Sequence, residues 1–112
     1  MKMDVYYKSE DLKKFGNITR VNEELGTAYF DYYGKAMAEG ALSEREKALI
    51  ALAVAHALKC PYCIEAYTEA CLTKGADEEQ MNEAVHVAAA IAAGVILVHS
   101  TQMMNKIDET LI

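Results

Sequence analysis

The sequence predicts an all-α domain, and three observations support this prediction. The 112 residues are 53% hydrophobic, with alanine-rich runs, no tryptophan and a single proline, which favours helices over sheets. Capping boxes begin at Ser43 and Asp77, and a capping box marks the start of a helix. Apolar residues recur at spacings of three and four. With short turns, no strand pattern and no linker, residues 1–112 are expected to form one helical-bundle domain.

The first part of the chain is predicted to form an arm and two helices. Residues 1–20 are expected to form an N-terminal arm and one short helix that starts at Ser9, where acidic residues follow a capping side chain. From about residue 21 to residue 38, apolar and aromatic side chains recur with helical spacing, and Gly40 closes this amphipathic helix.

The next predicted helix, over residues 48–58, is apolar on nearly every face. Its start is marked by the Ser43 capping box, in which Glu46 occupies the third helical position. A helix that is apolar all round requires burial on all sides. In so short a chain, this favours burial between subunits as well as within one, so a homo-oligomer is expected.

Two or three further helices are predicted towards the C-terminus. Pro61 suits the first position of a helix, and this helix is expected to end at Gly75. The capping box at Asp77 starts an alanine-rich helix. Gly94 is predicted to interrupt it, and a final helix is expected over residues 95–107.

Charge and cysteine content narrow the possible partners and compartment. The net charge of −6 and pI near 5.0 argue against nucleic acid and anionic membranes as partners. The longest uncharged apolar run, residues 87–98, is too short to span a bilayer. No apolar segment of the secretory type follows the N-terminal Met. An odd cysteine count without an export signal favours the reduced cytoplasm. No cofactor is expected.

The stretch with the clearest chemistry is Cys60-Pro61-Tyr62-Cys63. Cysteines three residues apart lie one turn apart on one helix face, close enough to form a disulfide. Pro61 makes Cys60 the expected N-cap, which brings both sulfurs near the positive end of the helix dipole. Such a position favours the thiolate. The motif therefore predicts a redox dithiol.

A zinc site is the main alternative interpretation of the CxxC motif. Zinc needs four ligands, and the sequence contains no second CxxC. Cys71 and one of the three histidines would have to complete the site, at spacings unlike a common finger. Cys71 lies about two helical turns beyond Cys63 and is predicted to be a buried structural cysteine.

Several side chains could assist proton transfer at the thiols. His56 lies one turn before Cys60, and His86 and His99 could point across the bundle, although a lone histidine on an apolar face is commonly a core residue. General acid–base catalysis most often uses histidine, so His56 and then His86 are the preferred candidates. Tyr67 lies one turn after Cys63, where its hydroxyl could bond a thiolate or a peroxide oxygen, or could simply pack in the core.

The order of these features resembles the alkylhydroperoxidase D-like branch of the carboxymuconolactone decarboxylase-like superfamily. The resemblance covers residues 42–94, LSEREKALIALAVAHALKCPYCIEAYTEACLTKGADEEQMNEAVHVAAAIAAG. The segments CPYCIEAYTEACL and EAVHVAAAIAAG, with the arm Asp4-Val5-Tyr6-Tyr7, are similar to peroxidase-like proteins associated with arsenosugar biosynthesis. The resemblance implies an all-α fold and assembly into dimers, trimers or hexamers.

The resemblance also implies a peroxidase cycle. In that branch the second cysteine becomes a sulfenic acid and the first resolves it, so Cys63 would be peroxidatic and Cys60 resolving. The branch has a relay Glu twelve residues before the first cysteine and a relay His four after the second. Ala48 and Tyr67 stand at these positions here, and Glu46 lies two residues away on another face of the helix.

Two functions follow as hypotheses. The first is a thiol oxidoreductase that reduces a peroxide and is re-reduced by a dithiol such as dihydrolipoamide or a thioredoxin-like protein. The alternative is a dithiol protein that holds arsenic or a metal between Cys60 and Cys63 in an oligomeric assembly. A structural relative without activity is a third possibility. The decarboxylase that names the superfamily lacks this CxxC, so decarboxylation is the function least favoured.

Overall fold

The computed structural model describes residues 5–111, and these residues form helices and turns without a strand. An N-terminal 3-10 helix spans Ser9–Asn17. In chain order, the α-helices are α1 (Ile18–Val21), α2 (Glu23–Met37), α3 (Glu44–Ala57), α4 (Pro61–Thr73), α5 (Glu78–Val98) and α6 (Ser100–Leu111). The all-α prediction is confirmed. Asp4 of the predicted arm lies outside the described residues.

Helix α3 is the centre of the packing, because α4 and α5 both lie against it. The core between these helices is small and consists of Ala48, Leu52, Cys71 and Ala76. Leu52 and Cys71 are the largest side chains that are fully buried. The prediction that Cys71 is a buried structural cysteine is confirmed. Its sulfur faces the core and is separate from the CxxC motif.

Both predicted capping boxes are present. The Ser43 side chain accepts a hydrogen bond from the Glu46 amide at 3.1 Å, and the Glu46 carboxylate accepts one from the Ser43 amide at 2.8 Å. Asp77 and Gln80 form the same pair of bonds at the start of α5. The hydrogen bonds from Ser43 lower the pKa of Glu46, because they stabilise its charged form. Glu46 therefore acts as a cap.

The predicted interruption at Gly94 is wrong, since α5 continues through this residue to Val98. A single glycine inside a helix costs only about 1 kcal/mol relative to alanine. That cost is small against the hydrogen bonds of a 21-residue helix. No atom of another element lies within 4 Å of the position that a Cβ would occupy, so close packing does not explain this glycine either.

The break in the last helical stretch occurs at His99 instead of Gly94. The Nδ1–H of His99 donates to the Val95 carbonyl at 2.5 Å, and the Ser100 hydroxyl donates to the Leu97 carbonyl at 2.6 Å. Side chains that bond nearby carbonyls compete with the helical backbone bonds. The final helix accordingly starts at Ser100 and reaches Leu111, in place of the predicted residues 95–107.

A large apolar surface of the chain is exposed. The radius of gyration is 19.5 Å, whereas a compact domain of this length has about 13 Å. Along α5, Val87, Ile91, Val95 and Val98 are each more than half exposed. The 34-residue stretch Glu78–Leu111 is long and apolar enough to cross a membrane by length and composition alone. The expectation that no apolar segment is long enough to span a bilayer rested on residues 87–98 alone, and the helical stretch that contains them is longer.

Candidate functional site: the CxxC dithiol

A tight turn between α3 and α4 places the CxxC motif. Lys59 adopts a left-handed conformation with φ of 57°, which costs a residue with a side chain roughly 1–2 kcal/mol. The next amide, that of Cys60, donates to the Ala55 carbonyl at 3.0 Å and closes the end of α3. Pro61 then opens α4. The predicted break and restart of the helix are confirmed.

Cys60 is the N-cap of α4, as predicted. Its backbone is extended, and its Sγ accepts a hydrogen bond from the Cys63 amide at 3.3 Å. An N-cap atom that receives an amide hydrogen at the positive end of a helix is best placed to carry negative charge. The Cys60 sulfur is therefore the hydrogen-bond acceptor at the start of α4.

Cys63 lies one turn further along α4, in a different electrostatic setting. Burial, with a hydrogen bond to Cys60 and the charge of that sulfur, raises the pKa of Cys63 to about 11. Cys63 is therefore protonated at neutral pH and can donate its S–H to Cys60. Both cysteines are free thiols in this structure. The pair is a reduced dithiol in which one sulfur is a hydrogen-bond acceptor and the other is a donor.

Tyr67 lies four residues after Cys63 on α4, and residues with this spacing are neighbours on a helix surface. Its hydroxyl is hydrogen-bonded to that of Tyr33 on α2. Burial, the bond to Tyr33 and nearby charges that include Cys63 all raise the pKa of Tyr67. Tyr67 is therefore neutral, and either hydroxyl of the Tyr33–Tyr67 pair can donate to the other. The helical spacing of aromatic side chains over residues 21–38 did not reveal Tyr33 as the partner of Tyr67.

Within residues 5–111, no histidine is hydrogen-bonded to the sulfur of Cys60 or Cys63. The Nδ1 of half-buried His56 is bonded to the Leu52 carbonyl at 2.8 Å, while His86 and His99 are exposed on the surface of the last helical stretch. Among the described residues, no three His, Cys, Asp or Glu side chains are grouped so that they could hold a metal ion. Cys71 and the histidines consequently do not complete a zinc site with the CxxC.

The N-terminal 3-10 helix packs beside the thiols, a contact that sequence patterns did not reveal. The Tyr7 and Tyr62 rings lie 4.5 Å apart, and the Ser9 hydroxyl donates to the Glu65 carboxylate at 2.5 Å. A cavity of about 370 Å³ lies between this helix and the start of α4. It is lined by Asp11, Leu12, Lys14, Phe15, Cys60, Tyr62 and Cys63.

Comparison with known proteins agrees with this architecture. The sequence pattern of the carboxymuconolactone decarboxylase family matches residues 23–105. The chain belongs to this family. The match includes α2 to α5 and the CxxC, whereas the 3-10 helix that lines the cavity lies outside it. The wider superfamily contains decarboxylases and peroxidase-like enzymes.

Two proteins illustrate the relationship. A Paracoccus denitrificans protein named "Uncharacterized protein 4 in cox locus" is 37% identical over 94 residues, which are 84% of this chain and 85% of that protein. A crystal structure of a protein from Methanobacterium thermoautotrophicum aligns with a TM-score of 0.73 at 30% identity. That alignment covers 77% of this chain and 97% of the other.

Proposed function

We propose that this member of the family is a dithiol oxidoreductase that reduces a hydroperoxide through a Cys60–Cys63 disulfide. The observation that carries the proposal is the asymmetric thiol pair at the N-terminus of α4, where Cys60 accepts the Cys63 amide. A thiolate beside a resolving thiol is the arrangement that peroxide reduction requires. A cellular dithiol then regenerates the reduced pair.

The proposed cycle reduces the hydroperoxide at one cysteine, forms the disulfide with the other, and then regenerates both thiols. A thiolate attacks the distal oxygen of the hydroperoxide, the O–O bond breaks, and the departing oxygen takes a proton to form an alcohol. The attacking cysteine becomes a sulfenic acid. The second thiol attacks the sulfenic sulfur, the S–S bond forms and water leaves. An external dithiol reduces this disulfide by two exchange steps and is itself oxidised to a disulfide.

The order of the two cysteines follows from their hydrogen bonds. The family resemblance implies attack by Cys63 through a sulfenate there, but the relay groups that activate this position are replaced by Ala48 and Tyr67. Here Cys63 donates and has a raised pKa, whereas Cys60 accepts an amide hydrogen. We therefore infer that Cys60 attacks and Cys63 resolves in this chain.

Tyr67 is proposed to donate a hydrogen bond to the departing oxygen, with Tyr33 positioning its hydroxyl. We expect Tyr67→Phe to slow disulfide formation by tert-butyl hydroperoxide about tenfold, because a lost hydrogen bond to a charged oxygen costs roughly 1.5–3 kcal/mol. Tyr33→Phe should give a smaller loss in the same direction. Stopped-flow measurements of disulfide formation in both variants would determine these rates.

Peracetic acid and a neighbouring tyrosine supply the controls for this role. The acetate that leaves a peracid needs no proton, so Tyr67→Phe should leave the peracid rate nearly unchanged. Tyr32 is next to Tyr33 in the sequence but is well exposed. Tyr32→Phe should therefore behave as wild type. An equal loss with both oxidants would assign Tyr67 a structural role only.

The proposed function is tested by peroxide consumption in the presence of excess dithiol. We expect either Cys60→Ser or Cys63→Ser to abolish catalytic turnover, since the disulfide cannot form. Cys71→Ala removes the buried thiol near the C-terminal end of α4 and should retain turnover. Circular dichroism would verify that all three variants are folded. Full turnover in either single-serine variant would refute the two-cysteine cycle.

Binding of a thiophilic ligand such as trivalent arsenic is a second candidate function. One observation favours it: in the described part of the chain, no histidine is hydrogen-bonded to either thiol. Without such a base, two free thiols one helical turn apart form a bidentate sulfur site as readily as a peroxidase site. The two functions differ in whether peroxide oxidises the pair.

We also propose that the chain forms a homo-oligomer in the cytoplasm. The exposed apolar residues lie on several helices, including Leu25 and Tyr32 on α2, Ile50 and Val54 on α3, and the stripe along α5. If the last helical stretch crossed a membrane, the lipid would cover only the exposed apolar residues of α5. Further copies of the chain could cover all of them, and homo-oligomers commonly bury such surfaces in symmetric contacts.

A further inference from the structure

We propose that the N-terminal 3-10 helix, Ser9–Asn17, forms one wall of a binding site for the organic group of a neutral hydroperoxide. In this proposal Leu12 and Phe15 determine specificity, and Cys60 and Cys63 form the opposite wall. The inference rests on the proposed peroxidase function and extends it to a substrate class and to residues outside the family match.

The size and lining of the cavity suit a small organic group. Its volume of about 370 Å³ falls within the range of small-molecule sites, roughly 300–1,000 Å³. Leu12, Phe15 and the Tyr62 ring contribute apolar surface around the two thiols. Hydrogen peroxide needs neither this volume nor this surface, whereas a compact aromatic or branched alkyl group gains from being buried there.

The charges of the cavity lining suit a neutral ligand. The two charged residues that line the cavity, Asp11 and Lys14, are paired with each other at 3.1 Å. Apart from the reacting Cys60 sulfur, this pairing leaves no uncompensated charged side chain on the lining to attract an anion or a cation. A neutral organic hydroperoxide fits such a lining better than a charged one.

Several contacts fix the 3-10 helix in place as a wall of the cavity. Phe15 packs on Tyr29 and Phe30 of α2, with ring centroids 5.8 and 5.1 Å apart. At the other end of the segment, Tyr7 lies on Tyr62 and Ser9 bonds Glu65 of α4. The 3-10 helix is thereby attached to both α2 and α4.

The test compares cumene hydroperoxide with hydrogen peroxide as oxidants of the reduced full-length protein. We expect Leu12→Ala to lower the second-order rate of disulfide formation by cumene hydroperoxide about tenfold, the usual effect of a lost apolar contact in a pocket. The rate with hydrogen peroxide should stay within about twofold, because that oxidant does not use the wall. Phe15→Leu, which retains an apolar side chain, should show the same selectivity to a smaller extent.

Lys13→Ala is the matched control, since Lys13 lies on the same helix but does not line the cavity. It should leave both rates at wild-type values. A second measurement does not depend on turnover: cumyl alcohol should slow alkylation of the thiols by iodoacetamide in wild type more than in Leu12→Ala.

The outcomes separate this inference from the proposed function. Equal changes with both peroxides in Leu12→Ala, with no protection by cumyl alcohol, would overturn the binding wall and leave the dithiol cycle intact. A wild-type protein that neither peroxide oxidises would overturn the proposed function, and with it the substrate class. Selective loss of the cumene hydroperoxide rate supports both.

Discussion

The Cys63→Ser variant is expected to accumulate a sulfenic acid on Cys60 after exposure to one equivalent of an organic hydroperoxide. Cys60 retains its position as N-cap in this variant, because the bond that it accepts comes from the backbone amide of residue 63 rather than from the side chain. With no thiol to resolve it, the oxygen adduct should persist. Trapping with dimedone followed by peptide mass spectrometry would locate it.

The reciprocal variant, Cys60→Ser, should react far more slowly. Burial, the largest cause of the raised pKa of Cys63, persists in this variant, although the hydrogen bond and the charge of the Cys60 sulfur are lost. Cys63 should therefore remain mostly a protonated thiol at pH 7. The higher intrinsic nucleophilicity of a less acidic thiol offsets part of this deficit. We expect the oxidation of Cys63 in this variant to be slower than that of Cys60 in Cys63→Ser by on the order of tenfold.

The pH dependence gives an independent check on the order of the two cysteines. If Cys63 were the attacking sulfur, the oxidation rate of wild type would keep rising as its proton is lost, up to about pH 11. If Cys60 attacks, the rate should not follow the loss of the Cys63 proton. An adduct that forms quickly in Cys60→Ser and not in Cys63→Ser would show that the family order holds here.

Ile91→Glu is expected to reduce the assembly to single chains of 12.4 kDa. Ile91 is at the middle of the exposed stripe formed by Val87, Ile91, Val95 and Val98. An unpaired carboxylate buried in an apolar contact costs several kcal/mol, and a symmetric contact incurs this cost in every subunit. Because Ile91 is exposed in the isolated chain, the fold of the single chain should tolerate the substitution.

Light scattering coupled to size-exclusion chromatography would measure the mass of each species. Asn82→Glu is a suitable control, since it adds the same charge at an exposed polar position of α5 away from the stripe. It should retain the wild-type mass, a multiple of 12.4 kDa. A wild-type protein that elutes as a single chain would rule out the assembly.

Features that depend on neighbouring residues were predictable from the sequence. The capping boxes at Ser43 and Asp77 and the N-cap role of Cys60 all rest on contacts within three residues. Helix ends are determined largely by such local hydrogen bonds. Gly94 and the helix break at His99 were exceptions among the local features. The modest cost of Gly94 was outweighed by the helix around it.

Features that depend on distant contacts were not predictable in the same way. The bond between Tyr33 and Tyr67 joins residues 34 apart in sequence, and that between Ser9 and Glu65 joins residues 56 apart. Helical periodicity assigns each of these residues to a face but does not say which face meets it. The cavity beside the thiols arises from these contacts, so it became visible only in the folded chain.

The central claim, that Cys60 and Cys63 form a redox couple, is tested most directly by the intact mass of the reduced protein after one equivalent of cumene hydroperoxide. We predict a loss of two hydrogen atoms that excess dithiol reverses, with peptide mapping that assigns the disulfide to Cys60 and Cys63. An unchanged mass would contradict the claim, and arsenite titration of the reduced dithiol by calorimetry would then test the ligand-binding alternative.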